Sequence, residues 1–142
     1  MLRVTHLLAS KGKDLWSVDA EQPVLEAIQI MADRRVGALP VMRGGELVGV
    51  VSERDYARKV ILLGRSSAET AVWQIMSSPV ITVGPSETVR HCMEIMTERR
   101  IRHLPVVEGG VTVGMISIGD LVRAVIEEQK ETIEQLEKFI AG

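Results

Sequence analysis

Ser52 and Asp55 stand three residues apart in the stretch GVVSERDYARK, and Ser117 and Asp120 repeat that spacing in GMISIGDLVRA. A hydroxyl and a carboxylate so placed can do two kinds of chemistry. The serine can cap a helix while the acid accepts from the serine's own backbone N–H. The carboxylate can also accept from both hydroxyls of a ribose cis-diol, with the helix N-terminus beside it supplying donors and a positive field for phosphate. A lone Ser-x-x-Asp is most economically a cap. Two copies, both with Asp where Glu or Gln is the usual partner, move the reading towards a ligand. The two roles are compatible, the serine capping while the acid reaches outward. Gly49 and Gly114, just before the motifs, would let a ligand approach the backbone closely.

Other residue types carry less. His6, His91 and His103 lack metal-ligand spacing, and Cys92 is the single cysteine, which excludes an intrachain disulfide. Cys92 falls on an apolar helical face and reads as a small buried thiol. His91 reads as a solvated surface residue, and His103 is evenly divided between surface residue and phosphate neighbour. No phosphate-binding glycine loop, dinucleotide fingerprint or nucleophile elbow occurs. The seven methionines read as core filler. No acid, base and nucleophile cluster emerges, so catalysis is not expected.

The elements that hold the Ser-x-x-Asp pairs are themselves duplicated. Residues 15–61 align with 80–126 without a gap, at a constant offset of 65 that carries Pro40 onto Pro105. Identities fall at Arg34/Arg99, Leu39/Leu104, Gly44/Gly109, Gly45/Gly110 and Gly49/Gly114 as well as at the motifs. In each copy an apolar stripe at helical spacing (Val24, Ala27, Ile28, Met31; Val89, Cys92, Met93, Met96) predicts a helix buried on one face. Arg34-Arg35 and Arg99-Arg100 end these helices, where cations meet the negative end of the dipole. ALPVM and HLPVV, each followed by Gly-Gly and a second apolar run, predict β-hairpins with primed turns. The unit reads strand, helix, strand, turn, strand, helix. Between the copies, Ser66-x-x-Glu69 predicts a capping box opening a short helix, with Trp73 and Met76 as core anchors. In the tail, Val122, Ile126, Gln129, Ile133, Leu136 and Ile140 form a heptad-like stripe, expected to pack on its own domain or on a second subunit.

Composition sets the outer limits. At 142 residues and 46% hydrophobic, the chain suffices for one compact domain with a real core. A net charge of −2 and an aromatic content of 3% argue against a nucleic-acid partner, which calls for basic excess and stacking platforms. No apolar run approaches membrane-spanning length and the N-terminal apolar stretch is short for a signal peptide, so the cytoplasm is the simplest location.

The duplicated unit, with Gly-Ala-Leu-Pro-Val, a Gly-Gly hairpin and Gly-h-h-Ser-x-x-Asp (h, apolar), resembles a cystathionine β-synthase-type (CBS) domain pair. The resemblance covers nearly the whole chain. It implies an α/β (α+β) fold of two βαββα repeats packed about a pseudo-twofold axis, repeat 1 at 10–63, repeat 2 at 75–130 and a helical tail at 127–142. It implies a regulatory sensor without catalysis that binds AMP, ATP or NAD in the cleft, forms a homodimer and acts on an unknown effector protein. Carried over, Ser52 and Asp55 serve the ribose of one site, Ser117 and Asp120 that of the other. Adenine would meet the main chain of Val36, Gly37 and Ala38, or of Ile101, Arg102 and His103, and Ile81 is a further nucleotide-binding position. Arg102 and His103 would hold phosphate. The first repeat has Gly37 and Ala38 there, so Arg54 and Arg58 are expected to supply the missing charge. The alternatives are a ligand-free structural or protein-interaction module and, against the charge balance, a nucleic-acid binder. Hydrolysis of a nucleotide is the weakest option.

Overall fold

The structure, a computed structural model, describes residues 1–12 and 14–141. A first helix, α1 (Val4–Lys11), precedes the first repeat, which comprises β1 (Val18–Asp19), α2 (Val24–Arg34), β2 (Ala38–Arg43), β3 (Glu46–Ser52) and α3 (Glu53–Tyr56). The second repeat comprises α4 (Val89–Arg99), β4 (His103–Glu108), β5 (Val111–Ser117) and the long α5 (Ile118–Ala141). β2 and β3 pair antiparallel with β1 parallel beside β2, and β4 and β5 repeat the antiparallel pair. The second repeat's counterpart of β1 shrinks to one parallel bridge, Val83 to Val106, at the positions equivalent to Val18 and Val41. Both hairpins turn on two glycines with positive φ (Gly44 and Gly45 at 58° and 81°, Gly109 and Gly110 at 58° and 80°), the conformation a primed two-residue turn demands.

α2 and α4 bury the predicted stripe (Val24, Ala27, Met31; Val89, Cys92, Met96). Each then stops on a left-handed arginine, Arg35 or Arg100, both at φ 55°, whose N–H bonds back to Met31 or Met96. Each repeat has its own core, and each core borrows from the segment ahead of the other repeat. Val4 and Leu7 of α1 are buried in the second core, while Val72 and Ile75 of the linker are buried in the first. The two segments thus exchange across the molecule and tie the repeats into one body.

Three expectations need correction. Ser66 opens a backbone turn, with Glu69 and Thr70 donating to its carbonyl, and the linker's helical turn is the short 3₁₀ segment Val72–Gln74. In that tight turn Val72 faces inward, so Trp73 is 46% exposed and does not anchor the core. The helix after Ser52 leaves the α form after one turn and continues as a π-turn, Ala57–Ile61, with Leu62 and Arg65 donating five residues back. Of the two arrangements expected for the tail, packing on its own repeats is not the one seen: in α5 Leu121 is buried and Ala124 and Val125 are half-buried, whereas every residue from Ile126 to Ala141 is exposed. Among the described residues no helix is long and apolar enough to cross a membrane.

Candidate functional site

Two cavities open between the repeats, each combining the Ser-x-x-Asp helix start of one repeat with the Leu-Pro strand entry of the other. The first, of about 430 Å³, brings Ser52, Arg54 and Asp55 together with Ile81, Ile101, Arg102 and His103. The second, of about 490 Å³, brings Ser117 and Asp120 together with Val36, Gly37 and Ala38. Gly37 and His103 line both and form the divide between them. A Cβ on Gly37 would lie 3.1 Å from the Glu53 carboxylate and 3.4 Å from His103 Nε2, so a larger residue here would press on both side chains.

In the first cavity the capping box is complete. Asp55 N–H donates to Ser52 Oγ at 3.1 Å, while Ser52 N–H and Oγ–H both donate to Asp55 Oδ2 at 2.9 Å. Oδ1 faces Lys59 Nζ at 3.2 Å; this lysine also donates to the Ile75 carbonyl and is not part of the cavity wall. Asp55 therefore caps its helix and keeps acceptor capacity on Oδ1. Arg54, Arg100 and Arg102 line the same cavity, with Glu53 as a second acid.

The second cavity repeats the cap, with Ser117 N–H donating to Asp120 Oδ2 at 2.8 Å and Asp120 N–H to Ser117 Oγ at 3.1 Å. Its carboxylate is engaged differently. Lys11 Nζ, at the end of α1, donates to Asp120 Oδ2 at 2.8 Å and to the Met115 carbonyl at 2.7 Å. Arg123 Nη2 donates to Oδ1 at 2.6 Å. Burial of Asp120 opposes ionisation, yet the Lys11 hydrogen bond, those from Ser117 and the Lys11 charge outweigh it and hold the carboxyl below its ordinary value. Trp16 lines the same cavity, with the Arg34 guanidinium 3.9 Å above its ring.

Charge is distributed otherwise than the sequence suggests. Arg54 does not replace Arg102 and His103: it shares the first cavity with them, because each cavity takes its acid and its strand entry from different repeats. Arg58 lines neither cavity, whereas its counterpart Arg123 lines the second. The basic residues that line the second cavity beside Gly37 and Ala38 are Lys11, Arg34, Arg35 and Arg123, with Asp14 and Asp120 as acids. His103 is not a ready phosphate cation. Burial, with Lys11 adding in the same direction, pushes its imidazole below the ordinary 6.5, although Asp120 pulls the other way. It is neutral at pH 7 and can donate from one nitrogen while accepting at the other.

Sequence reasoning missed Lys11, Arg34, Arg35, Arg100 and Arg123 as cavity residues. The repeat offset pairs Lys11 with Met76, and each reaches β-strand residues of the other repeat, Lys11 the Met115 carbonyl and Met76 the strand at Gly49. A Cβ on Gly49 would come within 2.9 Å of Met76 Cγ, and one on Gly114 within 2.5 Å of Leu8 Cδ2 on α1. Those glycines thus receive a neighbouring segment of the chain. Cys92 supplies no nucleophile, because burial and the nearby Glu87 push its thiol up to about 11. Among the described residues no cluster of His, Cys, Asp and Glu could hold a metal ion.

Comparison with known proteins agrees with this architecture. The CBS domain family model matches residues 11–61 and 72–127. CBS domain-containing protein CBSX3, mitochondrial, from Arabidopsis thaliana is 42% identical over 149 aligned positions, covering 98% of this chain and 72% of that protein. A CBS-domain protein of Burkholderia ambifaria MC40-6 superimposes with a TM-score of 0.85 at 46% identity, covering 89% of this chain and 96% of that one. The CBS domain pair of protein MJ0100, solved in complex with 5′-methylthioadenosine and S-adenosyl-L-methionine, gives a TM-score of 0.80 at 25% identity, covering 90% and 98% of the two chains.

Proposed function

This chain belongs to the CBS domain family, and we propose that it is a regulatory module that binds adenine nucleotides (AMP, ATP or NAD) in the two cavities between its repeats. The observation that carries the reading is the crossed construction of each cavity. A ligand that engages Asp55 and the Ile101–His103 strand entry touches both repeats at once, so its binding energy depends on how they are oriented. That is the condition for a sensor, since a ligand shifts only an equilibrium between states it binds unequally. The first cavity suits a nucleotide with a 5′-phosphate: Asp55 Oδ1 takes the ribose diol, Ile101–His103 the adenine edge, and Arg54, Arg100 and Arg102 the phosphates. The adenosine compounds bound by the MJ0100 pair support the ligand class.

The response is passed on to an effector protein through a homodimer in which the exposed stripe of α5 meets a second copy. Val122, Ile126, Ile133, Leu136 and Ile140 are all exposed in the single chain, with a seam spacing that suits a partner helix. This apolar surface equally favours a second reading, a protein-interaction module without a small-molecule ligand. The compartment is aqueous: the cytoplasm is the simplest reading of the sequence, the Arabidopsis relative is named as mitochondrial, and fractionation of native cells distinguishes the two.

Titration calorimetry with AMP, ATP and NAD on the full chain, and on Asp55→Ala and Asp120→Ala, tests the proposal. Asp55→Ala is expected to weaken AMP binding by roughly tenfold or more, the loss of a charge-assisted hydrogen-bond pair. Absence of binding by the unmodified chain, with no thermal shift across the panel, would sink the nucleotide reading in favour of the interaction module.

A further inference from the structure

We propose that the second cavity selects nucleotides that carry a phosphate ester on the ribose ring itself, at the 2′ or 3′ oxygen, with Lys11 and Arg123 as its receptors. The inference rests on the nucleotide reading and concerns what distinguishes one cavity from the other. A free ribose diol needs an open acceptor. In the first cavity Asp55 Oδ1 accepts no hydrogen bond among the described residues, its one cation, Lys59, standing off at 3.2 Å outside the cavity wall, whereas in the second both Asp120 oxygens are hydrogen-bonded to cations that line the cavity. Asp120 Oδ2 already accepts from Lys11 and the Ser117 N–H, and its Oδ1 from Arg123. Asp120 is only 7% exposed, so a diol that displaced either cation would leave a buried carboxylate poorly paired.

A phosphate monoester meets the opposite situation. Lys11 has three N–H donors and spends two of them, on Asp120 and on the Met115 carbonyl. Arg123 spends one of its five on Asp120. The remaining donors can receive phosphate oxygens without releasing Asp120, which becomes the positioning residue that aims both cations. Ribose-phosphate discrimination elsewhere works on the same chemistry, with an acid reading the 2′-hydroxyl and a nearby arginine accommodating a 2′-phosphate. In the first cavity the cation on the acid is Lys59, which also bonds the Ile75 carbonyl and lies outside the cavity wall. The counterpart of Lys11 is Met76, and the counterpart of Arg123 is Arg58, which lines neither cavity. Arg34 and Arg35 add positive charge to the second cavity, Asp14 subtracts from it, and His103 contributes a neutral imidazole.

The test uses the full chain carrying Asp55→Ala, so that the first cavity's ribose acceptor is absent. Calorimetry compares adenosine 2′,5′-bisphosphate and adenosine 3′,5′-bisphosphate with AMP and with ADP, which matches the bisphosphates in phosphate number. At least one bisphosphate is expected to bind roughly tenfold tighter than ADP, with a steeper loss of affinity on adding salt. Adding Lys11→Gln is expected to abolish that preference. Arg123→Gln, whose side chain is largely in solvent, provides the same readout should Lys11→Gln destabilise the chain. Equal affinity for ADP and both bisphosphates, or a preference that survives both substitutions, overturns the inference. Tight AMP binding by the unmodified chain alongside that result leaves the nucleotide reading intact and removes only this one. Failure of every nucleotide to bind the unmodified chain removes both.

Discussion

At the scale of single residues, the two carboxylates show how one motif acquires two characters. Their caps match within 0.1 Å at the Asp N–H to Ser Oγ bond, 3.1 Å in both, yet the cations around them differ. The caps were legible because they are local. The Lys11–Asp120 contact spans 109 residues, and no periodicity announces it. Arg35 and Arg100 were equally hidden, since a left-handed C-terminal residue is usually glycine. Each stands at a cavity edge in a conformation that stores about 1 kcal/mol or more. Arg100→Gly is accordingly expected to hold or raise the melting temperature while weakening nucleotide binding in the first cavity, read by thermal denaturation and calorimetry on the same sample. His103 gives a pH prediction. Its folded pKa lies below the unfolded 6.5, so the unfolded chain binds the proton more readily. The stability it confers is complete above 6.5 and is lost as pH falls through the folded value. His103→Asn should flatten the melting-temperature profile in that window. The loss due to Asp120, whose pKa is lowered from 3.8, begins only below that value and should persist in the variant.

At the scale of elements, the helical stripes, the glycine hairpins and the Ser caps came straight from spacing and turn chemistry, because each is decided within about ten residues of chain. The linker was not legible. Its capping-box spelling at Ser66 lost to the demand that Val72 and Ile75 fill the first core, which turned Trp73 outward. The exchanged segments also separate two glycines that the sequence presents as equivalent. At Gly49 a Cβ would run into Met76 Sδ and Cγ and lie 3.1 Å from the Ser77 carbonyl, which accepts from Val50 N–H. Gly49→Ala must therefore displace the Met76 side chain beside a carbonyl that has little room to give, with an expected loss of about 1–3 kcal/mol in chemical denaturation. At Gly114 the nearest atoms belong to the end of the Leu8 side chain, which can rotate. Gly114→Ala should cost less in stability but lift α1 and with it Lys11. A smaller denaturation change, together with faster amide exchange over residues 4–11, is the expected signature.

At the scale of the whole molecule, exchange of α1 and the linker makes the pair of repeats one body, and α5 is the part left over. Its first turns contribute Leu121, Ala124 and Val125 to the second core. Beyond Val125 it leaves that core with its apolar stripe facing solvent, interrupted by Gln129 alone. A lone helix of this length and composition is marginal in water, so its stability has to come from packing against something. The stripe was readable as a seam from the sequence, but the lack of any cover from its own repeats was not, since that depends on where α5 leaves the body. A chain ending at Ile126 keeps every residue of both cores, and its melting temperature extrapolated to low concentration should be unchanged. If the proposed homodimer forms through this stripe, light scattering should show a dimer for the full chain and a monomer for the truncated one, and Ile133→Glu in the full chain should match the truncated chain. A truncated chain that remains dimeric would move the interface from the tail onto the exposed surfaces of the repeats themselves, beginning with the unpartnered Ile61, Leu62 and Leu63.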